Sequence, residues 1–184
     1  NHWFFMKKLF QIAGVRVLAF IEENIKKGID YEGKPFQYST NPYYIPFDDK
    51  IYRKLGGKNG NGKFFQVVHS KRTGLLGMII LGGYKAYKEK VYPSAAKNFL
   101  TVTGKMLRSM NVKATDTEAI ISFTGEENQK KAFWLNISGA GRSRKLWKFL
   151  GITEEQKKKL IDELNEPAKE IYIAKLGEII KKYD

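Results

Sequence analysis

The chain of 184 residues contains no cysteine and only two histidines, His2 and His69. Without cysteine it has no disulfide, no thiol nucleophile and no thiolate ligand for zinc. A histidine without a second histidine or a clustered carboxylate makes a poor metal site, so His69 is interpreted as a surface or loop-end residue. No metal or cofactor is therefore expected.

Long apolar runs and targeting features are missing as well. The longest apolar run, Leu75–Leu81, is far too short to span a bilayer. The first residues, Asn1–Phe5, lack a charged start and a cleavage site of the secretory type. We interpret residues 1–5 as a loose or non-native terminus, and we expect one domain over residues 1–184. The absence of cysteine suits assembly in the cytoplasm.

Acidic residues are scarce relative to basic ones. The chain has 33 Lys and Arg against 19 Asp and Glu, which gives a net charge of +14. This excess predicts attraction to nucleic-acid phosphates or to an acidic partner surface, although a solvated lysine-rich surface explains it equally well. Because most of the cations are lysines, bidentate phosphate recognition is not favoured.

The periodicity of apolar residues predicts an α+β fold, in which long N- and C-terminal helices pack on a small antiparallel sheet containing a β-hairpin. Thr153 and Gln156 have the spacing of a capping box at the start of the C-terminal helices. The principal predicted elements are helices over Met6–Lys27, Tyr84–Val91, Glu126–Leu135, Glu154–Leu164 and Pro167–Lys182, and hairpin strands over Lys105–Ala114 and Glu118–Thr124. Residues 165–184 are interpreted as a helical extension.

A glycine-rich segment, Gly56–Gly62, is predicted to be a hairpin tip between two β-prone runs. From Gly57 to Lys63 it matches the first part of a phosphate-binding loop, G-x-x-x-x-G-K. The residue that follows is Phe64, so the hydroxyl that binds Mg²⁺ is missing. With no activated nucleophile or acid–base pair elsewhere, no catalytic residue is assigned and the chain is not expected to be an enzyme.

Two segments are candidates for contact with a partner or a channel. The loop Gly139–Lys145 combines glycines with the cations Arg142, Arg144 and Lys145, and we expect Trp147 and Phe149 to anchor it in the core. It could equally be a solvated connection. The aromatic residues Tyr43, Tyr44 and Phe47 lie in a proline-stiffened extended segment that either docks on a neighbour or wraps the chain's own core.

Three short motifs, in order, resemble the virion-morphogenesis family of tailed bacteriophages, the tail-completion or neck proteins of Mu-like and related phages. The early helix followed by Gly28–Phe36 is similar to the family's helix and D-x-x-G-x-P-[WF] turn, and Leu100–Met110 resembles its L-x-x-T-G-x-L-R-x-S-[IM] segment. Arg144–Glu155 resembles the R-x-F-L-G-[IL]-[ST]-x-x-[DE] run that precedes its last helix. The segment Lys50–Tyr92 is longer than the family pattern predicts.

The resemblance implies a structural, non-enzymatic virion protein that completes the tail and joins it to the head as a ring subunit around the DNA channel. The implied partners are other copies of itself, portal or head-completion proteins, and tail-tube or tail-terminator proteins, with the DNA backbone as a further contact and no membrane. The implied location is the neck or tail of the virion. The alternative left open by the charge is a basic, sequence-independent nucleic-acid-binding domain.

Overall fold

The computed structural model describes residues 2–96, 100, 104–139 and 144–183. Within the expected single domain 1–184, it distinguishes two compact units. Unit 1 comprises Asn1–Pro35 and Gly104–Asp184, and unit 2 comprises Phe36–Thr103. Unit 2 therefore interrupts the sequence of unit 1.

Helices and short antiparallel sheets make up the described chain, which confirms the predicted α+β class. In chain order the elements are α1 (His2–Lys27), β1 (Tyr43–Pro46), α2 (Asp49–Lys54), α3 (Gly57–Gly60), β2 (Phe65–His69), β3 (Leu76–Ile80), α4 (Gly83–Val91), α5 (Pro93–Ala96), α6 (Lys105–Arg108), β4 (Met110–Ala114), β5 (Ala119–Phe123), α7 (Glu126–Phe133), a π-helix (Trp134–Ser138) and α8 (Glu154–Tyr183).

In unit 1, helix α1 packs against both strands of the β4–β5 hairpin and against α8. It approaches the hairpin closely because residue 14 is glycine. A Cβ at Gly14 would lie 2.5 Å from Val112 Cγ1 and 3.0 Å from Ala119 Cβ. The predicted packing of the hairpin on the first helix is confirmed, and the main partner of α8 is α1.

The contact between α1 and α8 includes a buried pair of amides. Asn24 donates to Gln156 Oε1 at 2.9 Å, and Gln156 donates to Asn24 Oδ1 at 2.8 Å. The same Gln156 completes the predicted capping box, because Thr153 N donates to its Oε1 at 3.0 Å and its own N donates to Thr153 Oγ1 at 3.2 Å. One glutamine thus caps α8 and joins it to α1.

The boundaries of several elements in unit 1 differ from the prediction. Residues 105–108 form the short helix α6, so the first hairpin strand begins at Met110 and not at Lys105. The two predicted C-terminal helices are one helix, α8, with Pro167 in its interior. Proline cannot donate a backbone hydrogen bond there, but the strong helix formers on both sides propagate the helix through it. Helix α1 begins at His2, inside the segment interpreted as a loose terminus.

Unit 2 is built on a three-stranded antiparallel sheet in the order β1–β3–β2. Helix α4 packs against the central strand, and α2 packs against α4. One face of the sheet and the two helices enclose the core. Its buried members are Ile45, Leu55, Phe65, Met78, Ile80 and Val91.

The glycine-rich segment is not a hairpin tip, because the run that precedes it is helical. Asp48 Oδ1 accepts a hydrogen bond from Ile51 N at 2.9 Å and caps α2. The prediction of a β-prone run before Gly56 leaves out this helix start signal. Gly56–Gly62 therefore connects α2 to β2. A phosphate-binding loop follows a strand and opens a helix, and this segment has neither context.

Candidate interaction surfaces

An exposed apolar patch covers the end of α7 and the π-helix that continues it. Phe133 is 50% exposed, Trp134 52%, Ile137 61% and Leu146 41%. Ile137 follows Trp134 by three positions and Phe133 by four, so both of these side chains neighbour Ile137 on the helix surface. We call these four residues the α7 apolar patch. Large apolar side chains rarely cluster on the surface of a monomer without a partner.

The chain that follows the loop is fastened to this helix. Trp147 N donates to Leu135 O at 2.7 Å, which places Leu146 beside the π-helix, and Leu150 N donates to Asn136 Oδ1 at 3.0 Å. Trp147 and Phe149 are 9% and 1% exposed, so both predicted anchors are buried. The patch therefore rests on a fixed base.

The described ends of the loop Gly139–Lys145 adjoin the α7 apolar patch, since Gly139 follows the π-helix and Lys145 precedes Leu146. Its two ends meet: a Cβ at Gly139 would lie 2.1 Å from Arg144 O, and both residues have positive φ, 83° and 46°. Arg144 and Lys145 are exposed, and the Lys145 ammonium lies 4.9 Å from the centre of a Trp147 ring. Arg142 lies outside the described residues. The described part of the loop thus places cations beside apolar side chains.

The predicted aromatic contacts belong to unit 2 and differ from one another in exposure. Tyr43 is 36% exposed and packs edge-on against Tyr84, with ring centres 5.2 Å apart. Phe47 packs on the unit 2 core and lies 5.5 Å from the Tyr52 ring. Tyr44 is 39% exposed, and its ring covers Gly77. Tyr43 and Phe47 therefore have partners within the chain, and Tyr44 presents the most open ring of the three.

Sequence reasoning missed a buried lysine in unit 2. Lys88 is 1% exposed, and its Nζ donates to the Tyr38 hydroxyl at 2.7 Å. Burial lowers the pKa of Lys88 to about 8 and raises the pKa of Tyr38 to about 12. The signal available in the sequence was the concentration of tyrosines, seven of the ten lying between residues 38 and 92.

The first and third motifs of the phage resemblance contact each other in unit 1. Asp30 Oδ1 accepts hydrogen bonds from Glu32 N and Lys34 N and holds the Asp30–Pro35 turn. Tyr31 N donates to Lys148 O at 3.1 Å. Hydrogen bonds from Lys148 and then Lys34 lower the pKa of the Glu32 carboxyl to about 2. The two motifs therefore form one assembled feature of the fold.

An open groove of about 720 Å³ lies between these motifs and the start of α8. Lysines and glutamates alternate along its walls, among them Glu23, Lys27, Glu155 and Lys159. The buried Asn24–Gln156 pair lies among its lining residues and satisfies its own hydrogen bonds. The groove thus carries no concentrated charge of either sign.

The described residues do not meet the requirements of a metal site or of a membrane span. No group of three or more His, Asp or Glu side chains there could hold a metal ion, and no described helix is both long and apolar enough to cross a membrane. His69 is exposed at the end of β2, with its Nδ1 3.4 Å from Gly74 O, as expected for a loop-end histidine.

The described chain is thus an α+β protein with an exposed apolar patch beside a cationic loop. Comparison with protein-family models, with curated proteins and with solved structures finds no match.

Proposed function

We propose that the protein is a structural subunit of a phage neck, which completes the tail and joins it to the head as one member of a ring around the DNA channel. The observation that carries this proposal is the α7 apolar patch next to the loop ending in Arg144 and Lys145. An apolar centre with a charged rim is the usual composition of a protein–protein interface. The contact between the two resembling motifs adds support.

A ring needs two different complementary faces on each subunit. The α7 apolar patch and its loop supply one of them. The second face is proposed to include Tyr44 of unit 2, with the partly exposed Tyr43 at its margin. The neighbouring layers would be portal or head-completion proteins on one side and tail-tube or tail-terminator proteins on the other, and the protein would be found in the virion.

The test is to replace the gene, in the genome that carries it, with a Trp134→Ser, Ile137→Ser variant. We expect a folded protein, with filled heads and free tails that fail to join, because the interface loses its apolar centre. The matched control is Ile120→Ser, Ile161→Ser, which removes two exposed apolar residues of unit 1 outside the patch. Electron microscopy of the particles provides the measurement.

Normal joined virions from the patch variant would remove the α7 apolar patch from the mechanism. Absence of the wild-type protein from purified virions would refute the neck assignment itself. Charge reversal at Arg142 and Arg144 tests the loop separately and is expected to give the same unjoined particles with folding intact. The reading frames next to the gene are expected to encode portal, head-completion and tail-tube proteins.

The second candidate is sequence-independent binding of nucleic acid, and the distribution of charge favours it. Between Phe36 and Thr103, unit 2 has 11 Lys and Arg but only 3 Asp and Glu, a net charge of +8. Unit 1 has 22 Lys and Arg and 16 Asp and Glu, which gives a net charge of +6 on a much longer stretch of chain. Such a concentration of positive charge attracts polyanions.

A further inference from the structure

Two lysines of unit 2 converge on one aromatic ring. The Nζ atoms of Lys63 and Lys90 lie 5.2 Å and 4.3 Å from the centre of the Phe64 ring. The two ammonium groups are therefore held within about 10 Å of each other, which is about the Debye length at 0.1 M salt. Both side chains are exposed, so their mutual repulsion would be relieved by an anion bound between them.

A third lysine lies at the same end of α4. Lys54 Nζ is 5.3 Å from the centre of the Tyr92 ring and donates to Val91 O at 3.0 Å. Val91 is the last residue of α4 and directly follows Lys90 in the chain. We call Lys54, Lys63 and Lys90 the α4 lysine cluster. The carbonyl end of the helix stabilises the Lys54 ammonium directly and favours Lys90 in the last turn of α4.

Acidic groups do not neutralise this cluster. Among the described residues, none of the three lysines forms an ion pair with a carboxylate, and all the ion pairs recorded for the described chain lie in unit 1. The acidic residues of unit 2 are Asp48, Asp49 and Glu89, and Asp48 is engaged in capping α2. The positive charge of the α4 lysine cluster therefore remains available to a ligand.

We propose that the α4 lysine cluster binds the sugar–phosphate backbone of double-stranded DNA without reading its sequence. Lysines act as point charges on phosphates and carry no base specificity. A single strand would also require open aromatic faces on which its bases stack. Here the rings of Phe64 and Tyr92 are already in contact with lysine ammonium groups, so the phosphates of a duplex fit the surface better than unpaired bases.

This inference stands without the neck assignment, although a subunit lining a DNA channel would need such a surface. It assigns DNA contact to unit 2, whereas the proposed protein contacts centre on the α7 apolar patch in unit 1. DNA binding by the purified protein and the joining of particles are separate measurements, so the failure of one is distinguishable from the failure of the other.

The test compares Lys63→Gln, Lys90→Gln with the control Lys71→Gln, Arg72→Gln in the full chain. The control removes the same charge from the exposed turn between β2 and β3 of the same unit. Binding to a fluorescent 30-base-pair duplex is measured by anisotropy from about 50 to 300 mM salt. Each phosphate contact contributes about 0.9 to the steepness with which log K falls against log salt. Loss of two contacts should therefore make this fall less steep by about 1.8 and should weaken binding at 0.1 M salt more than tenfold. The affinity of the control variant for the duplex should fall less than threefold.

Equal losses in the two variants would overturn the proposal, because they would show that binding follows net charge and not the α4 lysine cluster. Failure of the wild-type protein to bind the duplex at 50 mM salt would overturn it too, as would tighter binding of a single strand of equal length. Inorganic polyphosphate is expected to displace the duplex, because the lysines are proposed to bind phosphates. Failure of polyphosphate to displace the duplex would contradict the proposal. Thermal unfolding of both variants is the control for folding, and both are expected to unfold as cooperatively as the wild type.

Discussion

Replacement of the buried Lys88 by methionine should abolish a pH dependence of stability that the wild-type protein shows in mildly alkaline solution. Lys88 lies in α4 and donates to the Tyr38 hydroxyl. Its pKa is lowered from 10.5 to about 8, because burial disfavours the charged ammonium. Between these two values the unfolded chain binds a proton at Lys88 that the folded chain does not.

The free energy of unfolding therefore rises with pH in this window. A pKa difference of about 2.5 corresponds to about 3 kcal/mol, all of it lost below pH 8 and recovered above pH 10.5. Between pH 7.5 and 9.5 the wild-type protein should gain about 2 kcal/mol from this one group. The raised pKa of Tyr38 acts in the opposite sense, since it removes stability as the pH rises from 10 towards 12, and the window below 9.5 avoids it.

The assay is urea unfolding at several pH values between 7.5 and 9.5 for the wild type, Lys88→Met and Lys85→Met. The control removes one positive charge from an exposed position of the same helix. Relative to Lys88→Met, the wild type should gain about 2 kcal/mol of stability as the pH rises across this range. The difference for Lys85→Met should stay constant within a few tenths of a kcal/mol.

A constant difference for Lys88→Met would refute the reasoning, because it would show that Lys88 has the same pKa in the folded and unfolded chains. An independent measurement is the NMR titration of the Lys88 side chain in the folded protein. Its midpoint should lie near pH 8, and a midpoint near 10.5 would contradict the role of burial.

Three further substitutions test the packing of unit 1 by chemical denaturation. Gly14→Ala should destabilise by about 1–3 kcal/mol, although alanine favours the helix, because its Cβ would collide with Val112; adding Val112→Ala should restore part of the loss. Met110→Asp should cost several kcal/mol, since the residue is 9% exposed and an unpaired charge would be buried, and unchanged stability would contradict the assignment of β4. Gln156→Ala should cost about 1–3 kcal/mol by leaving the Asn24 amide without its partner, whereas Gln156→Ala in an Asn24→Ala background should cost less.

Local patterns in the sequence were sufficient for the elements with strong signals close together in the chain. The periodicity of apolar residues predicted α1, and Thr153 with Gln156 predicted the capping box that starts α8. The β-hairpin was predicted from the alternation of apolar residues on either side of a short turn, and the burial of Trp147 and Phe149 followed from their size. These signals depend on interactions between residues a few positions apart, which a sequence shows directly.

Where helix propensity and β propensity competed, the sequence was ambiguous. The run before the glycine-rich segment has β-prone residues, but the cap at Asp48 and packing against α4 make it the helix α2. Pro167 predicted a break that the rest of α8 overrides. Local preferences of this size are a few kcal/mol at most, so tertiary packing can reverse them.

Only the tertiary structure decided which polar and charged groups act together. Lys88 and Tyr38 are 50 residues apart in the sequence. Lys54 and Tyr92 are 38 apart, Lys90 and Phe64 are 26 apart, and no spacing rule links any of these pairs. Burial of Lys88, and with it the lowered pKa, results from the helices and strands that surround it. The sequence alone determined the excess of positive charge, the absence of cysteine and the helical ends of the chain, because these are properties of composition and short-range pattern. Which lysine is buried and which are gathered on the surface depends on long-range packing, since desolvation and proximity exist only once the chain has folded.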